Sequence, residues 1–188
     1  MAIIKTNARS ASALDATILT GNLPAISGAS LTNLDAGKVL QVVQTTKTDT
    51  FSTASSSYVD VTGMSVAITP TSTSNKILVN VSLCFLGDDS ATMGYCNIVR
   101  DSTNIIRGNT EGSRVRATMQ KCSNHVNEAS VSNFMYLDSP SSTSALTYKV
   151  QLRNQGSGNV FVNRSKTWTN SAASSTNASS IIVTEIQG

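Results

Sequence analysis

Charged side chains are scarce in this sequence. Asp, Glu, Lys and Arg make up 13% of 188 residues, about half the share found in an ordinary globular chain. The small net charge of +3 comes from a shortage of acids. With no run of Lys or Arg, the composition excludes a nucleic-acid-binding protein. Residues 1–5 (Met-Ala-Ile-Ile-Lys) lack the apolar stretch of a signal peptide. No apolar run approaches the length that spans a bilayer. The chain is therefore expected to be made and folded in a cytosol, without membrane insertion. Cysteine is equally sparse. Cys84, Cys96 and Cys122 cannot pair completely, and their spacing fits no zinc motif. They read as ordinary buried or half-buried thiols, and neither a metal nor a cofactor is expected.

Catalytic groups are also few. His125 is the one histidine. A Ser–His–Asp hydrolase would have to run through it, with Asp88, Asp89 or Asp138 as the orienting acid. Its surroundings, Cys122-Ser-Asn-His-Val, supply neither a nucleophile elbow nor a Gly-rich oxyanion loop. His125 therefore reads as an exposed loop histidine. Asp88 and Asp89 sit in a Gly-Asp-Asp-Ser turn, where Asp bonds its own backbone. Hard cations such as calcium take loop carboxylates, but the spacing here is that of no known loop motif. A polysaccharide depolymerase needs two converging carboxylates and a long groove, for which this chain is too short. No catalytic residue is assigned, and the chain is not expected to be an enzyme.

What the sequence does contain is Ser and Thr, roughly a quarter of the chain, with Val, Ile and Asn. This composition favours strands over helices. From Lys38 onward apolar residues alternate with period two. Strands are predicted over 39–46, 58–61, 64–69, 77–86, 94–100, 131–137, 146–153, 160–163 and 181–186. In the fourth of these Ile77, Val79, Val81, Leu83 and Phe85 share one face. Leu78, Cys84 and Leu86 make the other face apolar as well, which predicts burial by a second copy. Turn-forming clusters separate the strands, and the stretch 102–128 is ambiguous, with Ile105, Ile106, Val115 and Met119 available for one or two short strands. The pattern predicts an all-β fold, an antiparallel jelly-roll sandwich over residues 38–188. Residues 1–37 differ. Leu14, Ile18, Leu19, Leu23, Ile26, Leu31 and Leu34 recur every three to five residues between Gly, Asn and Pro. Such a segment has no core of its own, so it reads as an extended, mostly irregular anchor or stalk.

Several stretches in order carry a family resemblance. They are "IIKTNARSASALDATILTGNLPAISGASLTNL", "SYVDVTGMSVAITPTSTSNKILV", "YLDSPSSTSALTYKVQLRN", "VFVNRS" and "SSIIVTEI". Together they resemble tail-fibre proteins of phages that infect cyanobacteria and other aquatic bacteria. The resemblance implies a homotrimer with a jelly-roll head similar to tumour-necrosis-factor-like domains. It also implies a place in the virion, reached from a bacterial cytoplasm, with residues 1–37 bound to other virion proteins. No long shaft is present, which leaves a short tail fibre, a baseplate appendage or a capsid-decorating protein. Contact with a host-surface glycan or protein is expected of the first.

Residues for such contact are limited. Tyr136 and Tyr148 alternate with apolar neighbours and read as core. Trp168 lies in Lys166-Thr-Trp-Thr-Asn170, flanked by polar residues, and is a candidate for surface recognition. Arg107, Arg114 and Arg116, with Lys121, cluster in the ambiguous stretch. They are candidates to meet phosphate or uronate, although a solvated face is the plainer account. The sequons at Asn80, Asn163 and Asn177 are what chance gives in a chain this rich in Asn, Ser and Thr.

Overall fold

The computed structural model describes residues 37–88, 92–122, 130–172 and 174–188. The anchor residues Leu14, Ile18, Leu19, Leu23, Ile26, Leu31 and Leu34, together with His125 and Asp89, lie outside the described residues. Among the described residues there is no helix, and the period-two segments become eleven strands. These are β1 (Val39–Lys47), β2 (Phe51–Thr53), β3 (Val59–Ile68), β4 (Lys76–Gly87), β5 (Met93–Arg100), β6 (Thr103–Ile106), β7 (Met119–Lys121), β8 (Val131–Asp138), β9 (Leu146–Gln155), β10 (Val160–Val162) and β11 (Ser179–Ile186).

All pairings are antiparallel, and they build two sheets. In the first, β4 is flanked by β8 on one side and by β11 and β10, end to end, on the other. β1 then pairs with β11, and β2 with β10. In the second sheet the order is β3-β9-β5, with β6 and β7 sharing the far edge of β5. Taking β1/β2, β6/β7 and β10/β11 each as one broken line, the sheets read first-last-third-sixth and second-seventh-fourth-fifth. That is the strand order of a jelly roll, as the alternation predicted.

The core lies between the sheets. Ile77, Val79, Val81, Leu83 and Phe85 of β4 face Tyr148, Val150 and Leu152 of β9, and all are fully buried. Tyr148 is in the core as expected. Tyr136, on the edge strand β8, is only half-buried. Three details depart from the sequence reading. The two strands expected over 58–61 and 64–69 are one, with a bulge where pairing to β9 jumps from Asp60 to Ser65. Gly63 makes that bulge at φ +81°, a conformation that costs a side chain about 1 kcal/mol or more. β2 was not expected, being too short to leave a pattern. The ambiguous stretch supplies β6, with Ile105 and Ile106, and β7, with Met119, while Val115 stays in the loop between them.

The end of the sandwich at which β1 begins and β11 finishes is cross-tied. Gln187 N donates to Lys38 O at 2.9 Å, so the two ends of the domain lie side by side. Asp138 links the sheets there, accepting from Arg100 of β5 and, at 2.7 Å, from the Tyr148 hydroxyl. Burial and that acidic partner push the Tyr148 phenol up.

Candidate functional site

Two features stand out against this frame, and both involve the first sheet. Its outward face carries no charge across three consecutive ladder rows. These rows are Leu137–Leu78–Thr184–Val42, Met135–Asn80–Ile182–Gln44 and Asn133–Ser82–Ser180–Thr46. Three of the apolar residues are widely exposed: Val42 at 59%, Met135 at 61% and Leu137 at 49%. A shallow groove of about 310 Å³ lies at Asn80, Asn133, Phe134 and Met135. The outward face of the second sheet is built differently. There Asp60 of β3 accepts from Lys149 and Gln151 of β9 at 2.8 and 2.7 Å, and Arg153 lies over the Tyr58 and Tyr95 rings. One face thus follows the usual habit of solvated sheets, with paired charges, and the other does not.

The expected two-faced apolarity of β4 divides in the structure. Leu78 faces outward and is half-buried, but Cys84 and Leu86 have no exposed surface within the single chain. Phe161 of β10 stands beside Leu86 in the ladder. The Arg164 guanidinium stacks on Phe161, its carbon 4.6 Å from the ring centroid. Burial at Cys84 and Leu86 therefore needs no second copy; only Leu78 and the rows beside it still ask for one.

The second feature is the loop that begins at Arg164. β10 and β11 lie in one line along β4, and between them the chain leaves the sheet for residues 163–178. The neck of this excursion is closed by Asn163, fully buried at φ +60°. Its amide donates to Lys47 O at 2.9 Å and Asp49 O at 3.0 Å. Its side-chain oxygen accepts from the Ser179 hydroxyl at 2.6 Å, and that hydroxyl accepts from Cys84 N at 3.0 Å. Asn177 N bonds Asn163 O, and Arg164 and Thr176 form an isolated bridge. Asn tolerates the left-handed conformation better than most residues. The sequon at Asn163 is thus a structural junction with its amide fully engaged.

Trp168 rides on this loop. Its ring lies 5.1 Å from the Arg164 guanidinium carbon, so the cation is sandwiched between Phe161 and Trp168. Arg164 donates from Nε to Ser165 O and from Nη2 to Lys166 O. Burial lowers its pKa, with Asp88 opposing. Asp88 pairs with Lys166 Nζ at 2.9 Å, while Asp89 and Ser90 of its Gly-Asp-Asp-Ser turn lie outside the described residues. Trp168 remains 42% exposed and opens onto a pocket of about 330 Å³ lined by Thr169, Asn170, Ser171, Ser174, Ser175 and Thr176.

The arginines lie elsewhere. Arg114 and Arg116 line a separate pocket of about 270 Å³ with Tyr95 and Glu111. Arg114 is solvated and 3.8 Å from Glu111, while Arg116 Nε donates to Gly108 O at 2.8 Å. Arg107 is exposed outside that lining, and Lys121 pairs with Gly94 on β7. The structure thus joins two of the four basic residues and puts none of them in the Trp168 pocket. Arg164 and Asn163, which hold that pocket, were missed from sequence. Their one local signal was Asn-Arg directly after an apolar triplet, interrupting a strand.

No family model matches the sequence, and no curated protein matches it. Among solved structures, the chain is similar to the infectious bursal disease virus VP2 subviral particle, at 14% identity and a TM-score of 0.41. That match covers 78% of this chain and 39% of the other, so this chain spans well under half the length of its neighbour.

Proposed function

We propose that this chain is a structural protein of a virion: a homotrimeric jelly-roll head that serves as a short phage tail fibre or appendage and contacts the host surface. The observation that carries the association is the uncharged outward face of the first sheet. A solvated sheet face with Val42 and Met135 more than half exposed and Leu137 at 49%, and no charge in three rows, leaves apolar surface in water. Covering such side chains gains roughly 1.5–3 kcal/mol each at full burial. Closed symmetry allows identical copies to cover it mutually without building an open polymer. The three-fold order, the phage and the anchoring role of residues 1–37 come from the sequence resemblance. The role is adhesive, with several weak contacts adding through avidity, and no catalytic step is assigned.

The test is localisation together with mass. Labelled protein should be seen on the tail or baseplate in tens of copies or fewer. Hundreds of copies spread over the shell would overturn the fibre reading in favour of capsid decoration. In solution the purified chain should scatter light as three times its 19.7 kDa mass. A stable monomer at micromolar concentration would remove the assigned role of the uncharged face.

A further inference from the structure

We infer that the 163–178 loop is a binding site for an uncharged saccharide, with Trp168 as its stacking platform. This gives a ligand class to the host contact proposed above and rests on that reading for its biological meaning. The binding itself is a property of the free chain and can be measured without the virion.

The loop's architecture is the first argument. A strand that would pair continuously along β4 is interrupted for sixteen residues and then resumes. Excursions of this length with touching ends are compact surface loops that commonly carry function. This one is braced from within. The Ser174 hydroxyl accepts from Thr169 N at 3.2 Å and donates to Thr167 O at 3.1 Å, and the Ser165 hydroxyl also donates to Thr167 O, at 2.7 Å. With the Asn163 neck below, these bonds restrain the loop, and restraint of a binding loop lowers the entropic cost of binding.

Chemistry is the second argument. The pocket presents one large aromatic surface and a wall of hydroxyl and amide side chains, with no ionisable group among the described residues of its lining. A sugar ring is the ligand with that pairing: its C–H face stacks on an aromatic ring, and its hydroxyls both donate and accept. At about 330 Å³ the pocket falls at the small end of ligand clefts. The nearby charges have partners of their own. Arg164 lies over two rings with two of its N–H groups on carbonyls, and Lys166 pairs with Asp88. Among the described residues no cation lines the pocket to meet an acidic sugar or a phosphate. Arg164 has a different task, which is to fix the indole in place.

Because the chain holds a single Trp, its fluorescence reports on this site alone. Wild-type protein would be titrated with maltose, cellobiose, lactose and N,N′-diacetylchitobiose, and with glucuronate as an acidic control. The expected result is a saturable change with at least one neutral sugar, with a Kd on the order of millimolar, and none with glucuronate. Saturation-transfer NMR should then show contact to the same sugar in wild type and in Arg114→Ala, lost in Trp168→Ala and weakened in Trp168→Phe. Absence of a saturable response to every neutral sugar would overturn the inference. So would sugar contact that survives Trp168→Ala, or a response confined to glucuronate. Failure of acrylamide to quench Trp168 in the assembled oligomer would also overturn it, by showing the ring covered by a neighbouring copy. The failures of sugar binding leave untouched the oligomeric face and the virion location, which are read by mass and imaging.

Discussion

At the scale of single residues, Glu185 shows most plainly how sequence becomes stability. It shares a face of β11 with Ile181 and Val183 and is fully buried. Thr71 N, the Thr71 hydroxyl and Asn75 Nδ2 donate to one carboxylate oxygen at 2.6, 2.9 and 2.6 Å. Gln41 Nε2 donates to the other at 2.6 Å. Burial disfavours the charge, yet the bonds from Asn75, Gln41 and Thr71 outweigh it and hold the carboxyl down to about 2. A folded value below the ordinary 4.5 means that the ionised group favours the folded chain. Its contribution is full above 4.5 and is lost as pH falls toward about 2. Glu185→Gln places amide hydrogens against existing donors and should cost on the order of 1–3 kcal/mol at pH 7. Thermal melts from pH 7 down to pH 2.5 should show the gap between wild type and Glu185→Gln closing in acid. A gap that stays constant would mean that the carboxylate is not the acceptor. Glu185 falls within the strand predicted over 181–186. Its donors, more than a hundred residues earlier in the chain, left no local trace.

At the scale of elements, legibility tracked length. Strands of eight residues or more announced themselves by alternation, because each had a buried and a solvated side to satisfy. β2 and β7, at three residues each, have too few positions for a period, while β10, equally short, was marked by its apolar triplet within the strand predicted over 160–163. The bulge at Gly63 split one long strand into two apparent ones. Trp168 was legible from its polar neighbours as a loop residue, whereas Asn163, predicted as the end of a strand over 160–163, is the neck of the loop. The stack that holds the ring was not legible, because Arg164 meets Phe161 and Trp168 only after the chain has turned. Two expectations belong here. Asn163→Ala should lower stability by about 2–4 kcal/mol, since the carbonyls of Lys47 and Asp49 and the Ser179 hydroxyl lose their partner at once. The same change should shift the Trp168 emission well below the global melting temperature as the neck loosens, and emission that holds until global unfolding would contradict the neck's assigned role. On the sheet face, Met135→Lys should leave strand-type circular dichroism unchanged, because the side chain already stands in solvent in the single chain. Sedimentation should nevertheless show the oligomer dissociating; if assembly persists, association runs through another surface.

At the scale of the whole molecule, the core that the two sheets enclose is, among the described residues, drawn from positions after Gly37. A chain starting at Lys38 should therefore keep a cooperative thermal transition, while a virion produced with it should lack the protein. Incorporation at normal copy number would move the attachment surface onto the sandwich. The side-by-side pairing of β1 with β11 has a mechanical consequence. β1 enters at Lys38 and runs away from that end, and β11 comes back to it from Ser179, just after the neck of the Trp168 loop. Eight residue pairs, from Val39↔Ile186 to Lys47↔Ser179, join the two strands. A pull applied between Lys38 and that loop would slide β1 and β11 past each other along their length. Ladder hydrogen bonds lie across the strands, so this load falls on the whole set together and not on one bond after another, as in unzipping. Tension between Lys38 and the loop would thus meet the sandwich in shear, its most resistant direction. Pulling single molecules between Lys38 and position 170 should rupture at a far higher force than pulling between Lys38 and Gly188, where the same strands peel apart from one end.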